Sequence, residues 1–272
     1  MNTTKRDRLA LILVLVALPL CGTLLAAQDG EPTVDELIEK NLEAKGGRAA
    51  LESVESARAS GIMTMGAGGQ DMEAPFLMEW KAPNKVRTEF TLQGMTGVRA
   101  FDGETGWMLM PFMGKTEPEK MTPEDTAMIQ EEADFRGRLF DPEEKGYTVE
   151  YAGEEEIEGT PTYKLTLTSE QGDVTHYYLD QEYYLEIHTK ADRTLRGQDM
   201  TVETTISGYK PVGDLILAHS MDQAVTTGQG GMGGGFSLAI EEVELNVDLP
   251  DERFTMPEPE DGDEAGEKES GR

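Results

Sequence analysis

Residues 76–92 read FLMEWKAPNKVRTEFTL, two alternating apolar and polar runs on either side of a turn signal. The apolar side chains at every second position are Phe76, Met78, Trp80, Val86, Phe90 and Leu92. A period of two is typical of a β-strand with one apolar face. Pro83 beside Asn84 predicts the turn between the runs, so we expect an antiparallel hairpin.

The same alternation recurs on both sides of this hairpin. It begins near Ala57 and returns at residues 163–167, 174–179, 183–187, 202–206 and 215–225. Residues 180–182 predict a tight connection, and the whole series predicts a long antiparallel meander. Near the end, apolar positions change from even, up to Ile240, to odd, from Val243. One extra residue at Glu241 and Glu242 therefore predicts a β-bulge.

Three short segments have helical spacing instead. Residues 33–36 have the capping-box pattern and open a run of apolar side chains at helical intervals, which Gly46 and Gly47 can end. Residues 48–54 predict a second short helix. Residues 122–135, with a Thr-Pro start, predict a third helix between strands. The fold class is therefore mainly β with a few helices.

Composition excludes several function classes. Among 272 residues, 24 are basic and 53 acidic, a formal net charge of −29, which argues against a nucleic-acid partner. One cysteine and three histidines provide neither a disulfide framework nor a Cys/His metal cluster. The acidic surface favours solubility, and adaptation to a salty habitat explains it equally well.

Catalytic motifs are also missing from the sequence. It contains no G-x-S-x-G, H-E-x-x-H or C-x-x-C, and we interpret His176, His188 and His219 as ordinary strand residues. Residues 228–233 match G-x-G-x-x-G by letter, but strand-like alternation follows them where a dinucleotide site needs a helix. We interpret them as a hairpin loop and expect no enzyme activity, no cofactor and no metal.

Both ends of the chain differ from its middle. Basic residues precede an apolar run at 9–18, which predicts a signal peptide at residues 1–27 and export to the periplasm or cell envelope. Lipidation at Cys21 and an uncleaved membrane anchor are the alternatives. Residues 28–257 form the predicted domain, and residues 258–272 a disordered acidic tail.

Methionines are concentrated in the first strands. Unbranched thioether side chains can re-pack around a flexible ligand, although they can equally fill an ordinary core. With neighbouring aromatic residues they suggest an apolar pocket. Its predicted lining is Met63, Met65, Phe76, Met78, Trp80, Phe90, Leu92 and Trp107.

Several motifs occur in an order that resembles the LolA-like family of periplasmic lipoprotein carriers. They are WKAPN at residues 80–84, FDGETGW at 101–107, PF at 111–112 and RFTMP at 253–257. AKGG at 44–47, ADF at 133–135 and YLD at 178–180 are similar to exported proteins called outer-membrane lipoprotein-sorting-like. One departure is Ala82, which stands where the classical carrier has an arginine important for handing lipoprotein onward.

The resemblance implies a half-open, strongly curved antiparallel sheet, an incomplete barrel, lidded by helices and holding acyl chains. The sequence therefore predicts an exported, non-enzymatic carrier for lipid or an acylated lipoprotein, with envelope membrane proteins as donor or acceptor. The alternative is an envelope sensor or regulatory module of the same fold that binds proteins or peptides. A secreted hydrolase is a third functional hypothesis.

Overall fold

A computed structural model describes residues 30–67, 70–195, 197–228 and 232–258. The predicted signal peptide, Cys21 and all but the first residue of the predicted tail lie outside the described residues. So does the middle of the glycine-rich stretch 228–233.

Three α-helices occur in the described residues: α1 (Val34–Ala44), α2 (Arg48–Glu52) and α3 (Pro123–Glu132). The Thr33 hydroxyl accepts a hydrogen bond from the Glu36 amide at 3.2 Å, and the Thr122 hydroxyl accepts one from the Asp125 amide at 3.1 Å. These caps confirm the predicted helix starts. Gly46 ends α1 at φ 116°, and a Cβ there would lie 2.2 Å from the Asp214 carbonyl oxygen. No helix in the described ranges is both long and apolar enough to cross a membrane.

Fifteen strands account for most of the remaining residues that the structure describes. They are β1 (Ser56–Ala67), β2 (Gln70–Lys81), β3 (Lys85–Leu92), β4 (Met95–Phe101), β5 (Gly106–Met110), β6 (Lys115–Lys120), β7 (Thr148–Ile157), β8 (Thr160–Thr168), β9 (Val174–Asp180), β10 (Glu186–Leu195), β11 (Gln198–Ser207), β12 (Lys210–Val212), β13 (Leu215–Leu217), β14 (Ser220–Thr227) and β15 (Met232–Leu245). Two short 3-10 helices cover Pro111–Met113 and Asp251–Arg253.

Thirteen strands form one antiparallel sheet in the order β6-β5-β4-β3-β2-β1-β15-β14-β11-β10-β9-β8-β7. The sheet is curved, is lidded by helices and does not close into a barrel, as predicted. Its edge strands carry features that discourage further pairing. Pro118 lies in β6, and β7 contains Glu154, Glu155 and Glu156.

Register confirms the local predictions at the hairpin and the bulge. Phe76 pairs with Phe90 across β2 and β3. Ser60 pairs with Glu242 and Gly61 with Ile240, so Glu241 is the extra residue of a β-bulge. Strands β14 and β15 pair at Thr226 and Met232, which confirms a hairpin around the glycine-rich stretch.

Two predicted strands are wrong in extent. The prediction for residues 183–187 began too early, because Tyr184 is left-handed (φ 58°) and closes the turn before β10. Residues 215–225 form two strands in different sheets. Leu215 leaves the main sheet to pack with α1, and the Ile216 amide donates to the Lys45 carbonyl oxygen at 3.0 Å.

The helices pack on one face of the sheet, which we call the inner face. At one end, Leu37 and Leu42 of α1 pack with Leu165, Leu167 and Leu179. At the other end, α3 contributes to a second cluster. Its members are Val86, Phe101, Ile129 and Ala133. The predicted helices thus cover the two ends of the inner face.

Candidate functional site

The predicted pocket residues on β1, β2 and β3 share the inner face. Paired residues in an antiparallel sheet project to the same side. Met65 pairs with Met72, Phe76 with Phe90, and Trp80 with Val86, which packs against α3. The inner face therefore brings together Met63, Met65, Phe76, Met78, Trp80, Phe90 and Leu92.

The apolar surface continues onto strands that the sequence analysis did not include. Phe236 of β15 pairs with Met65, and Leu238 pairs with Met63. Farther along, the inner face adds Met200, Val202, Ile206, Met221 and Val225. The alternation in residues 236–240 was visible in the sequence, but it could not show that β15 lies beside β1.

Part of this surface lies outside the clusters that the helices of the described residues form with the sheet. Met63, Met65, Met72, Phe236 and Leu238 are half-buried, and we call them the open wall. They belong to none of the buried clusters of the described residues. Half-buried apolar side chains lying side by side form a surface suited to an apolar ligand.

Met78 and Trp80 instead belong partly to the core. Both pack against the cluster formed with α3. The Trp80 indole N–H donates to the Glu132 carbonyl oxygen at 3.0 Å, and its ring lies 5.7 Å from that of Phe135. A cavity of about 180 Å³ lies beside Trp80 and is also lined by Val54 and Phe135.

Trp107 does not join this wall, contrary to the sequence prediction. Phe101 pairs with Gly106 on the inner face, so Trp107, paired with Ala100, projects to the outer face. It is 1% exposed there, and its indole N–H donates to the Phe254 carbonyl oxygen at 2.7 Å. Position 106, on the inner face, requires glycine because a Cβ there would lie 2.9 Å from the Thr126 hydroxyl of α3.

Four further methionines in or between the first strands, Met95, Met108, Met110 and Met113, lie in different places. Register places Met95, Met108 and Met110 on the inner face. Met113 lies in a 3-10 helix and is 69% exposed. Next to it, Phe112 lies 5.4 Å from the ring of Phe90, so this segment reaches back to the wall.

Charged side chains of the inner face bind α3 from two sides. Nη2 of Arg99 in β4 donates to both carboxylate oxygens of Glu132, at 2.6 and 2.8 Å. On the far side, Glu131 Oε2 accepts hydrogen bonds from Arg138 at 2.7 Å and Arg193 at 2.8 Å. Burial opposes the charge of Arg138, but nearby Tyr177 and Glu131 hold its pKa above the ordinary value.

The short sequence motifs lie where helices and the C-terminal segment contact the sheet. Lys45 of AKGG forms an ion pair with the buried Glu186 at 3.0 Å; burial opposes the charge of Glu186, but Lys45 lowers its pKa. In WKAPN, Lys81 donates to the Leu249 carbonyl oxygen at 2.7 Å. Arg253 of RFTMP binds Glu79 on the outer face at 2.6 Å. These motifs hold helices and the C-terminal segment against the sheet.

The described residues contain no group of three or more His, Cys, Asp or Glu side chains placed to hold a metal ion. His176 and His188 lie on strands and project to the outer face, with Thr166 and Thr205 hydroxyls at 3.0 and 3.5 Å. Burial lowers the pKa of both imidazoles. Both histidines therefore lie on the face opposite the apolar wall.

Three solved structures have a similar fold. A LolA superfamily protein from Nitrosomonas europaea matches with a TM-score of 0.57 at 14% identity, over 82% of this chain and 98% of that one. A domain named as an outer membrane lipoprotein-sorting protein, from Vibrio parahaemolyticus, matches with 0.54 at 17% identity, over 80% and 97%. A DUF1329 family protein from Desulfovibrio piger matches with 0.59 at 12% identity, over 82% and 97%.

These similarities confirm the LolA-like fold that the order of the motifs predicted. No protein-family model matches the chain, and a search of the curated proteins found no significant match. At these identities the similarity establishes the fold alone.

Proposed function

We propose that this chain, which has the LolA-like fold, is an exported, non-enzymatic carrier that binds lipid or the acyl chains of a lipoprotein on the inner face. The observation that carries this proposal is the open wall, a group of half-buried methionine, leucine and phenylalanine side chains between two helix-covered ends. The predicted signal peptide supports a place in the periplasm or cell envelope.

The energetics of such a site require no charged clamp. Each CH₂ group transferred from water is worth about 0.8 kcal/mol, so one long chain supplies substantial binding energy. Met63, Met65 and Met72 have unbranched side chains that can adjust to chains of different shape. A wall of this composition suits a carrier that must both load and release its cargo.

Met65 is the best residue at which to test the proposal. It lies in the open wall between Met72 and Phe236, whereas Met78 packs against the α3 cluster and a charge there would also damage folding. Thr64 is next to Met65 on β1 but projects to the outer face, opposite Glu73. It therefore provides a matched control.

The experiment is a fluorescence titration with a labelled fatty acid. We expect M65D to weaken binding by about tenfold or more, because the carboxylate must be desolvated beside the chain, while T64D and M65L retain it. Melting temperatures of the variants report folding. If M65D and T64D are both folded and bind the probe equally well, the open wall is not part of the binding site. Capture of an envelope protein without acyl binding would favour the sensor alternative.

A further inference from the structure

We propose that Arg138 and Arg193 form a binding site for the anionic headgroup, carboxylate or phosphate, of an amphiphile whose chain lies on the open wall. The inference rests on the proposed function and names its ligand class. It predicts that the carrier prefers anionic to neutral lipids.

The geometry shows two cations gathered around one carboxylate oxygen. Arg138 and Arg193 both donate to Oε2 of Glu131, at 2.7 and 2.8 Å. Arg138 also donates to the Thr175 hydroxyl at 3.2 Å. Asp173, whose side chain is 46% exposed, lies at the edge of the group, 3.9 Å from Arg193. Guanidinium groups present planar donor pairs that match carboxylate and phosphate oxygens.

This arrangement balances two arginines against Glu131 and the more exposed Asp173, on the inner face of a very acidic chain. The formal net charge is −29, yet here two arginines share one close carboxylate. Their side chains are only 22% and 17% exposed, so their interactions with an anion are screened less than at an open surface. Two guanidinium groups are thus placed where water is partly excluded.

The arginine pair is continuous with the apolar surface. Arg193 pairs with Met200, Ala191 with Val202, and Val202 with Val225. Four strand spacings separate β10 from β1, about 19 Å at ~4.8 Å each. One acyl chain spans about 15 Å of a bilayer core of ~30 Å. A chain whose headgroup lies at Arg193 would therefore extend over about three of these spacings, as far as β15, which carries Phe236 and Leu238 of the open wall.

A variant of Glu131 distinguishes a headgroup site from a purely structural contact. A bound headgroup must compete with this carboxylate for the same two arginines. Removing its charge should therefore strengthen binding of an anion, while removing Arg193 should weaken it. A purely structural contact predicts the same direction for both changes, because either one breaks the link between α3 and the sheet. Arg99, paired with Glu132 on the other side of α3, is the matched control.

The test compares a fluorescent fatty acid with the fatty alcohol of the same chain, and a fluorescent lysophosphatidate as the phosphate probe. We expect wild-type protein to bind at least one anionic probe about tenfold more tightly than the alcohol, a typical effect of charge-assisted hydrogen bonds. R193Q should abolish that preference, E131Q should increase it, and R99Q should leave it unchanged. Whichever anionic probe is preferred identifies the headgroup.

Circular dichroism and melting temperature confirm that each variant is folded. Binding of the alcohol as tight as that of both anionic probes would overturn the headgroup site and leave the carrier proposal standing. Weaker binding of the preferred anionic probe by E131Q would also overturn it. Absence of binding by all three probes would overturn both proposals.

Discussion

Trp80 and Trp107 project to opposite faces of the same sheet. Trp80 pairs with Val86, and Val86 with Phe101, on the inner face, whereas Trp107 pairs with Ala100 on the outer face. The two indoles are the only tryptophans of the chain, so each reports on one face. This division gives an intrinsic probe of where a ligand binds.

Ligand binding should change the emission of one tryptophan only. In W107F, where Trp80 remains, we expect a saturable change in emission on adding a fatty acid. In W80F, where Trp107 remains under the C-terminal segment, we expect almost none. Tryptophan fluorescence titration measures both. A larger response from Trp107 than from Trp80 would place the ligand on the outer face.

The outer face contains a buried carboxylate whose loss should be costly. Glu79 is 1% exposed and accepts from Arg58 at 3.0 Å and Arg253 at 2.6 Å. E79Q removes the buried charge that Arg58 and Arg253 share and leaves them only their more exposed partners Glu244 and Glu89, so we expect the free energy of unfolding to fall by about 3 kcal/mol. Urea denaturation measures the change.

Glu89 provides the comparison for Glu79. It binds Arg87 and Arg253 on the same face, but its side chain is 26% exposed. We expect E89Q to cost about 1 kcal/mol, because water can replace part of the interaction. Equal losses for the two variants would show that burial does not set the strength of this network.

Stability should decrease on mild acidification because of His176 and His188. Burial lowers the pKa of each below the ordinary value of 6.5, so the unfolded chain takes up protons at a higher pH than the folded chain. The free energy of unfolding therefore decreases as the pH falls through about 6.5. Above that pH the imidazoles are neutral in both states, and the two histidines do not destabilise the fold.

The measurement is melting temperature between about pH 7.5 and pH 5.5, compared between wild type and H176Q/H188Q. Titration of other groups is common to both proteins, so the difference in slope isolates the two histidines. We expect the variant to have the shallower slope. Parallel curves would mean that the imidazoles titrate alike in folded and unfolded chains.

Local periodicity predicted the structural features that neighbouring residues in the sequence determine. The hairpin of β2 and β3 follows from alternation around Pro83, and the bulge follows from the change of parity between Ile240 and Val243. The side on which Trp107 lies depends on the close approach of α3 to Gly106. The sequence pattern gives no sign of that contact.

The candidate site likewise combines residues predicted from local patterns with residues that long-range strand pairing brings to it. Met63 and Met65 were predicted from composition and alternation, whereas Met72 was not in the predicted lining. Their neighbours Phe236 and Leu238 come from β15, which pairs with β1 across the length of the chain. The contact of Glu131 with Arg193 joins residues 62 positions apart, which no short spacing rule predicts.

The most direct test of the carrier proposal is analysis of cargo in protein purified without detergent from its native envelope. We expect organic extraction and mass spectrometry to recover an acyl-chain lipid in near-stoichiometric amount from wild type and T64D, and much less from folded M65D. Folded wild-type protein that yields no lipid, and shows no saturable uptake of an acyl probe, would contradict the account.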